Sequence, residues 1–197
     1  MLEPLAKSYE ELTPSFSKKV VNNFFSNLED VPSAVNHLLQ GKVLKSIDLA
    51  TRFLINSSIG LGGMFDVATL LKVKRLEPED FGQTLAYWGV GSGPYLMLPL
   101  FGPSTVRDAP SKFFDSLLDP FTYNNNYGAR ATLKVIDIVS LRAEMLGMEE
   151  LMSGDEYLFV RDIYLQTREY EIRDGDLDNA FDDFEDYEDF EDYDDYY

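Results

Sequence analysis

A serine nucleophile in this chain would need a base, and the one imidazole available is His37. Hydrolytic triads assemble in space from distant residues, so spacing alone does not forbid one. The GxSxG turn that lifts a serine out of an α/β sheet is missing, however. His37 also stands between Asn36 and Leu38 in an amphipathic helical stretch, where a capped or half-buried structural imidazole is the commoner fate. The absence of cysteine removes thiolate catalysis, disulfides, thiolate-bound zinc and iron–sulfur clusters. A single histidine removes multi-histidine metal centres, and only carboxylate-rich hard-cation sites stay open.

The run Gly89-Val90-Gly91-Ser92-Gly93 looks superficially like a dinucleotide-binding loop. It lacks a preceding strand and the right spacing to the third glycine, and Pro94-Tyr95 stands where a helix should start. Arg107-Asp108 and Arg161-Asp162 could in principle act as acid/base pairs, as could Arg52 and Asp66 around the first glycine-rich turn. Isolated charges in apolar surroundings more often form buried or interfacial ion pairs that hold helices in register. That is the role expected of Arg52, Asp66, Arg107, Asp108, Arg161 and Asp162. The chain therefore reads as a non-enzyme, with no catalytic residue, metal ligand or cofactor site expected.

The elements that would position these residues follow from hydrophobic period and helix punctuation. Thr13-Pro14 marks a helix start, and Phe16, Val20, Phe24 and Leu28 give it an apolar stripe. Asp30 ahead of Pro32 predicts a second, short helix through Leu39, stopped by Gly41. A third is expected from Val43 to Ile55, with Leu44, Ile47, Ala50, Phe53 and Leu54 inward. The glycine-rich turn 59–65 suggests backbone packed closely against something apolar, and a short helix follows near 67–71. Further helices are expected through Phe113 to Leu118, from Ala129 to Met152 with more than one face covered, and from Glu156 to Ile172 with Tyr157, Val160, Ile163, Tyr164 and Thr167 inward. No convincing alternating strand is visible, so the class is all-α.

Charge divides the chain in two. Of the formal net −18, residues 174–197 carry 13 acids and no base, leaving −5 for residues 1–173. The division predicts a helical domain over 1–173 and a separate acidic, aromatic tail over 174–197. An acidic body without a large basic cluster excludes nucleic acid as a partner. In the tail, aromatics recur every third residue from Phe181 to Tyr196. Uncompensated charge favours disorder there, with an acidic-aromatic ligand for a basic surface and loose cation binding as open alternatives.

Between Phe81 and Val106 lie 26 residues without a charge. Glycines and Pro94, Pro99 and Pro103 prevent one straight helix. Two readings stay open: a buried loop across a soluble core, or a broken apolar hairpin that lines a cavity or re-enters a membrane.

Four blocks together closely resemble the MlaA (VacJ) family of outer-membrane phospholipid-transport lipoproteins: NFFSNLEDVPSAVNHLLQG (23–41), RFLINSSIGLGGMFDVA (52–68), EDFGQTLAYWGVGSGPYLMLPLFGPSTVRD (79–108) and YLFVRDIYLQTRE (157–169). The resemblance runs from about Pro4 to Gly175. It implies a ring-shaped helical bundle in the inner leaflet of the outer membrane, facing the periplasm. Through its central channel, mislocalised outer-leaflet phospholipids would pass to a periplasmic lipid carrier, preserving lipid asymmetry without covalent chemistry. It also implies association with a trimeric porin. By resemblance, Asn23, Phe24 and Phe25, and the loop bearing Gly89, Gly91, Gly93, Pro94 and Tyr95, map to the gating and lining of the lipid path. Tyr87 and Trp88 suit the membrane interface. A signal peptide and the lipobox cysteine are absent from this chain, which reads as one entered part-way, and the acidic tail is not a feature of the family. The alternative reading is a soluble helical binding or scaffolding protein that uses the tail for partner recognition.

Overall fold

Pro14 has extended backbone (φ −57°, ψ 146°) and separates two helices, α1 (Glu3–Leu12) and α2 (Ser15–Leu39). The computed structural model describes residues 3–98, 102–123, 125–144 and 155–175. After α2 come α3 (Val43–Ser58), α4 (Val67–Leu70), α5 (Phe81–Tyr87), α6 (Asp108–Leu118), α7 (Tyr127–Glu144) and α8 (Glu156–Ile172), with a 3-10 turn at Pro120–Tyr123.

The chain is mostly helical, but the all-α expectation needs one correction. Strands β1 (Tyr95–Leu98) and β2 (Gly102–Thr105) form an antiparallel hairpin, with Tyr95 opposite Thr105 and Leu98 opposite Gly102. Both strands are edges, so Pro103 is tolerated there. Neither strand alternates cleanly between buried and exposed residues, which is why a period-two pattern gave no signal.

A second correction concerns α2, which continues through Pro32 instead of restarting there. An interior proline costs about 3 kcal/mol, and the C-terminal half of α2 is held by tertiary bonds. Ser33 Oγ accepts from Glu79 N (2.9 Å), and Asn36 Nδ2 donates to the Pro32 carbonyl (3.0 Å) and to Asp115 (3.0 Å). Gly41, at φ +77°, then reverses the chain so that α3 packs back along α2, and α2 also touches α5, α6 and α7.

The third correction reverses the expected burial. On α3, Leu44 (79% exposed), Ile47 (55%) and Leu54 (65%) face outward, while Leu49, Arg52 and Asn56 are buried. On α8, Tyr157 and Thr167 are exposed and Arg168 is buried. On α7, Val135 and Ile138 are exposed, so the stretch expected to be covered all round is not. Among the described residues, Ala34, Leu49, Ala68 and Ala143 are the buried apolar side chains, against 17 buried polar or charged ones. The fold is polar inside and apolar outside. Among the described residues no helix is long and apolar enough to cross a membrane.

The expected helical turns at 145–154 and the tail at 176–197 lie outside the described residues. The first acid assigned to the tail, Asp174, bonds to the body at Lys42 (2.6 Å) and Lys45 (3.0 Å).

Candidate functional site

Three polar clusters fill the interior. The first secures the glycine turn after α3. Asp66 caps α4 by accepting from Thr69 N (3.2 Å) and Thr69 Oγ1 (2.6 Å), and it pairs with Arg52 Nη2 at 2.9 Å. Arg52 Nη1 also donates to the Val73 carbonyl (2.9 Å), and Asn56 bridges Asp66 and Ala68 N. Burial alone would raise the Asp66 carboxyl, but the Thr69, Arg52 and Asn56 bonds outweigh it and hold it at about 2. The turn backbone packs on polar groups, not on the apolar surface expected from sequence. Asn23 Nδ2 donates to the Met64 carbonyl (3.2 Å), and a Cβ on Gly63 would meet the Asn27 side chain at 2.6 Å. The apolar residues of the turn, Ile59, Leu61, Met64 and Phe65, point outward.

The second cluster joins α2 to the segment before α5. Gln40 Nε2 donates to Glu79 Oε2 (2.7 Å), Lys42 Nζ pairs with Glu79 Oε1 (3.0 Å), and Thr84 Oγ1 donates to Asn36 Oδ1 (2.9 Å). His37 is fully buried beside it, with Nδ1 3.8 Å from Glu79 Oε1. Burial, then the charges of Lys42 and Lys45, lower the imidazole to about 4, so at neutral pH it is an uncharged packing group.

The third cluster is the densest. Asp108 Oδ1 accepts from Arg107 Nε (2.7 Å), and Asp108 Oδ2 accepts from Arg168 Nε (3.1 Å) and the Tyr164 hydroxyl (3.0 Å). Arg168 clasps Asp80 with both Nη atoms (2.7 and 2.6 Å) and reaches Glu171 at 3.0 Å. Asp80 meanwhile caps α5 through Gln83 N (2.9 Å). Gly82 is required here, because a Cβ would run into Arg168 Nη2 and Asp108 Oδ1.

Two cavities of mixed polar and apolar lining flank this cluster. One, about 400 Å³, is lined by Gly89, Val90, Gly91, Ser92, Arg107 and Arg168 among others. The other, about 390 Å³, is lined by Glu29, Glu79, Asp80, Asp108, Lys112 and Tyr164 among others, and also by Arg168. Among the described residues no group of three or more histidine, aspartate or glutamate side chains could hold a metal ion.

The sequence-derived residues thus fall in three places. Gly89 and Gly91 line the first cavity, while Gly93 and Pro94 lead into the hairpin, where the Tyr95 ring packs against Tyr157 and Tyr164 (centroids 5.7 and 6.0 Å). Asn23 holds the glycine turn, and Phe24 packs edge-on to Phe25 (5.4 Å) and Phe121 (6.4 Å). Tyr87 and Trp88 are exposed, with Lys42 Nζ 6.0 Å from the Tyr87 ring and Trp88 Nε1 donating to the Leu39 carbonyl. Arg107–Asp108 is a buried ion pair, and Arg52–Asp66 a part-buried one whose arginine is buried. Arg161 and Asp162 instead pair with each other at 2.8 Å on α8, tying neighbours and, among the described residues, no second helix. An exposed pair contributes about 0–1 kcal/mol. Arg161→Ala should therefore leave the unfolding midpoint nearly unchanged in a denaturant titration, whereas a large loss would mean that Arg161 holds another element.

Sequence reasoning missed Asn36, Gln40, Glu79, Asp80 and Arg168. A signal for part of this set was present in α2, where Ser33, Asn36, His37 and Gln40 recur at helical spacing.

The model of the MlaA lipoprotein family matches residues 1–171. The chain is 35% identical over 184 residues to the intermembrane phospholipid transport system lipoprotein MlaA of Shigella flexneri, covering 90% of this chain and 72% of that protein. The protein of the same name from Escherichia coli K12 is 34% identical over the same shares, and that of Haemophilus influenzae 31% identical over 90% and 72%. A solved structure described as the structural basis for maintenance of bacterial outer membrane lipid asymmetry superposes with a TM-score of 0.77 at 35% identity. The match covers 87% of this chain and 88% of that one.

Proposed function

The chain belongs to the MlaA lipoprotein family, and from that premise we propose that it passes phospholipids through its polar interior as part of intermembrane transport that maintains outer-membrane lipid asymmetry. It is a transport component and not an enzyme.

The observation that carries this reading is the inversion of burial. Leu44, Leu54, Phe16, Phe113 and many other large apolar side chains are exposed while the buried side chains are mostly polar, and exposed apolar surface of this kind marks contact with lipid or a partner. At about 0.8 kcal/mol per methylene, such a surface belongs against acyl chains. With no described helix able to cross a bilayer, the reading places the molecule in the inner leaflet of the outer membrane, as a ring around the polar interior. Tyr87, whose ring lies by Lys42, which in turn pairs with Asp174, and the exposed Trp88 fit the headgroup level.

The headgroup travels along the polar side chains of the interior while its acyl chains stay against apolar wall or membrane. Gly89 and Gly91 leave room at the first cavity, and Asn23, Phe24 and Phe25 control the opening from beside the glycine turn. Direction comes from a periplasmic lipid carrier that accepts the lipid, and a trimeric porin steadies the ring. A soluble scaffold hooked by its acidic tail would leave the apolar belt in water.

Purification from native outer membranes without added lipid tests the reading. Phospholipid and a trimeric porin are expected to co-purify. Monodisperse protein in detergent-free buffer, carrying neither, would sink it.

A further inference from the structure

The two cavities meet at one side chain: among the described residues, Arg168 alone lines both. Its guanidinium is held unequally. Nε is fixed by Asp108, whose side chain is 3% exposed and which Arg107 and Tyr164 also hold. The Nη atoms grip Asp80 and Glu171, which are 41% and 39% exposed.

Building on the transport reading, we propose that Arg168 is a phosphodiester-binding partition between the cavities. It is closed while it clasps Asp80 and opens when the phosphodiester of a lipid headgroup takes the place of Asp80 on the guanidinium fork. A carboxylate and a phosphodiester are both monoanions that present two oxygens to such a fork. The exchange therefore keeps the buried cation paired throughout, which is essential because an unpaired buried charge is strongly unfavourable. Asp80, half in solvent, is rehydrated on release, whereas Asp108, 3% exposed and held by Arg107, Tyr164 and Arg168 itself, keeps the arginine anchored. Space is arranged to match. A Cβ on Gly89 or Gly91 would meet nothing within 4 Å, so the loop leaves room on the first-cavity side. At Gly82 the helix backbone closes directly on the resting guanidinium.

Calorimetric titration of the full chain in detergent micelles tests this. The probe is dihexanoylphosphatidylglycerol and the control is phosphate-free dihexanoylglycerol. Asp80→Asn is expected to bind the phospholipid about tenfold more tightly, the factor one charge-assisted hydrogen bond represents. Glu171→Gln should do so roughly threefold, Arg168→Gln should lose binding, and affinity for the control should not change. Unchanged phospholipid affinity in folded Asp80→Asn overturns the partition while leaving the transport reading intact. If Asp80→Asn does not fold, unchanged affinity in Glu171→Gln does the same. Arg168→Gln with wild-type affinity, or equal shifts for the control, also overturns it. Wild-type protein that binds no phospholipid overturns both the partition and the transport reading.

Discussion

Asp108→Asn is expected to lower unfolding stability by about 3–5 kcal/mol, the range for removing one partner of a buried ion pair. Among the described residues Asp108 is the carboxylate paired with Arg107, at 2.7 Å, and it also anchors Arg168 and Tyr164. The amide keeps the shape but not the charge, so the Arg107 guanidinium stays buried without a counterion. The same group contributes, with Asp66, to the acid limit of the fold. Burial would raise the Asp108 carboxyl, but the Arg107 hydrogen bond and the Arg168 charge bring it from 3.8 down to about 2. A carboxyl depressed in the folded state contributes stability that is complete above its unfolded value and is lost as pH falls through the folded one. Denaturant titrations between pH 5 and pH 2 should therefore show wild-type stability falling below about pH 4. The Asp108→Asn curve should be flatter across that window, and parallel curves would contradict this assignment.

Gly60→Ala is expected to cost about 3 kcal/mol or more, while Gly62→Ala, two residues away, should cost about 1 kcal/mol. At Gly60 a Cβ would intrude on the carbonyl oxygens of Phe65 and Asn56, both backbone atoms that no rotamer change can move. These atoms belong to the fold of the turn: Phe65 N donates to the Gly60 carbonyl at 3.0 Å, and Gly63 N donates to the Asn56 carbonyl at 2.8 Å. Opening the turn would also displace Asp66 from Arg52 and Met64 from Asn23. Gly62 has a positive φ of 73° but open space around it, so only its backbone preference is lost. Midpoint shifts in denaturant separate the two, and equal shifts would mean that close packing at Gly60 is unimportant.

Local punctuation made much of the helix plan legible. Gly41 ends the first helical pair, Asp119-Pro120 closes α6, and Asp155 opens α8 by capping Tyr157 N at 2.9 Å. Pro32 misled because its local penalty is outweighed by the long-range bonds of Ser33 and Asn36, which are invisible to a window of neighbouring residues. The hairpin at 95–105 was hidden for a related reason, since β2 carries Pro103 and neither short strand has an alternating pattern.

The inverted faces were missed for a different reason. Periodicity says that α3 has an apolar and a polar side; which of them meets the interior depends on the medium around the molecule. Arg52 and Asp66, expected to form an ion pair around the glycine turn, lie 2.9 Å apart there. Arg168 was passed over because a lone arginine near the end of a charged helix, in YLQTREYE, looks like any surface residue. Its partners Asp80 and Asp108 are 88 and 60 residues away in sequence.

The central claim is that the apolar outside of this fold lies in lipid. Because the chain contains no cysteine, a single thiol can be placed at Leu54, Phe113 or Lys74, three exposed positions, and spin-labelled in reconstituted bilayers. Labels at Leu54 and Phe113 should relax with oxygen and be shielded from a water-soluble nickel chelate, while the label at Lys74 shows the reverse. Equal access of the chelate to all three positions would contradict the account.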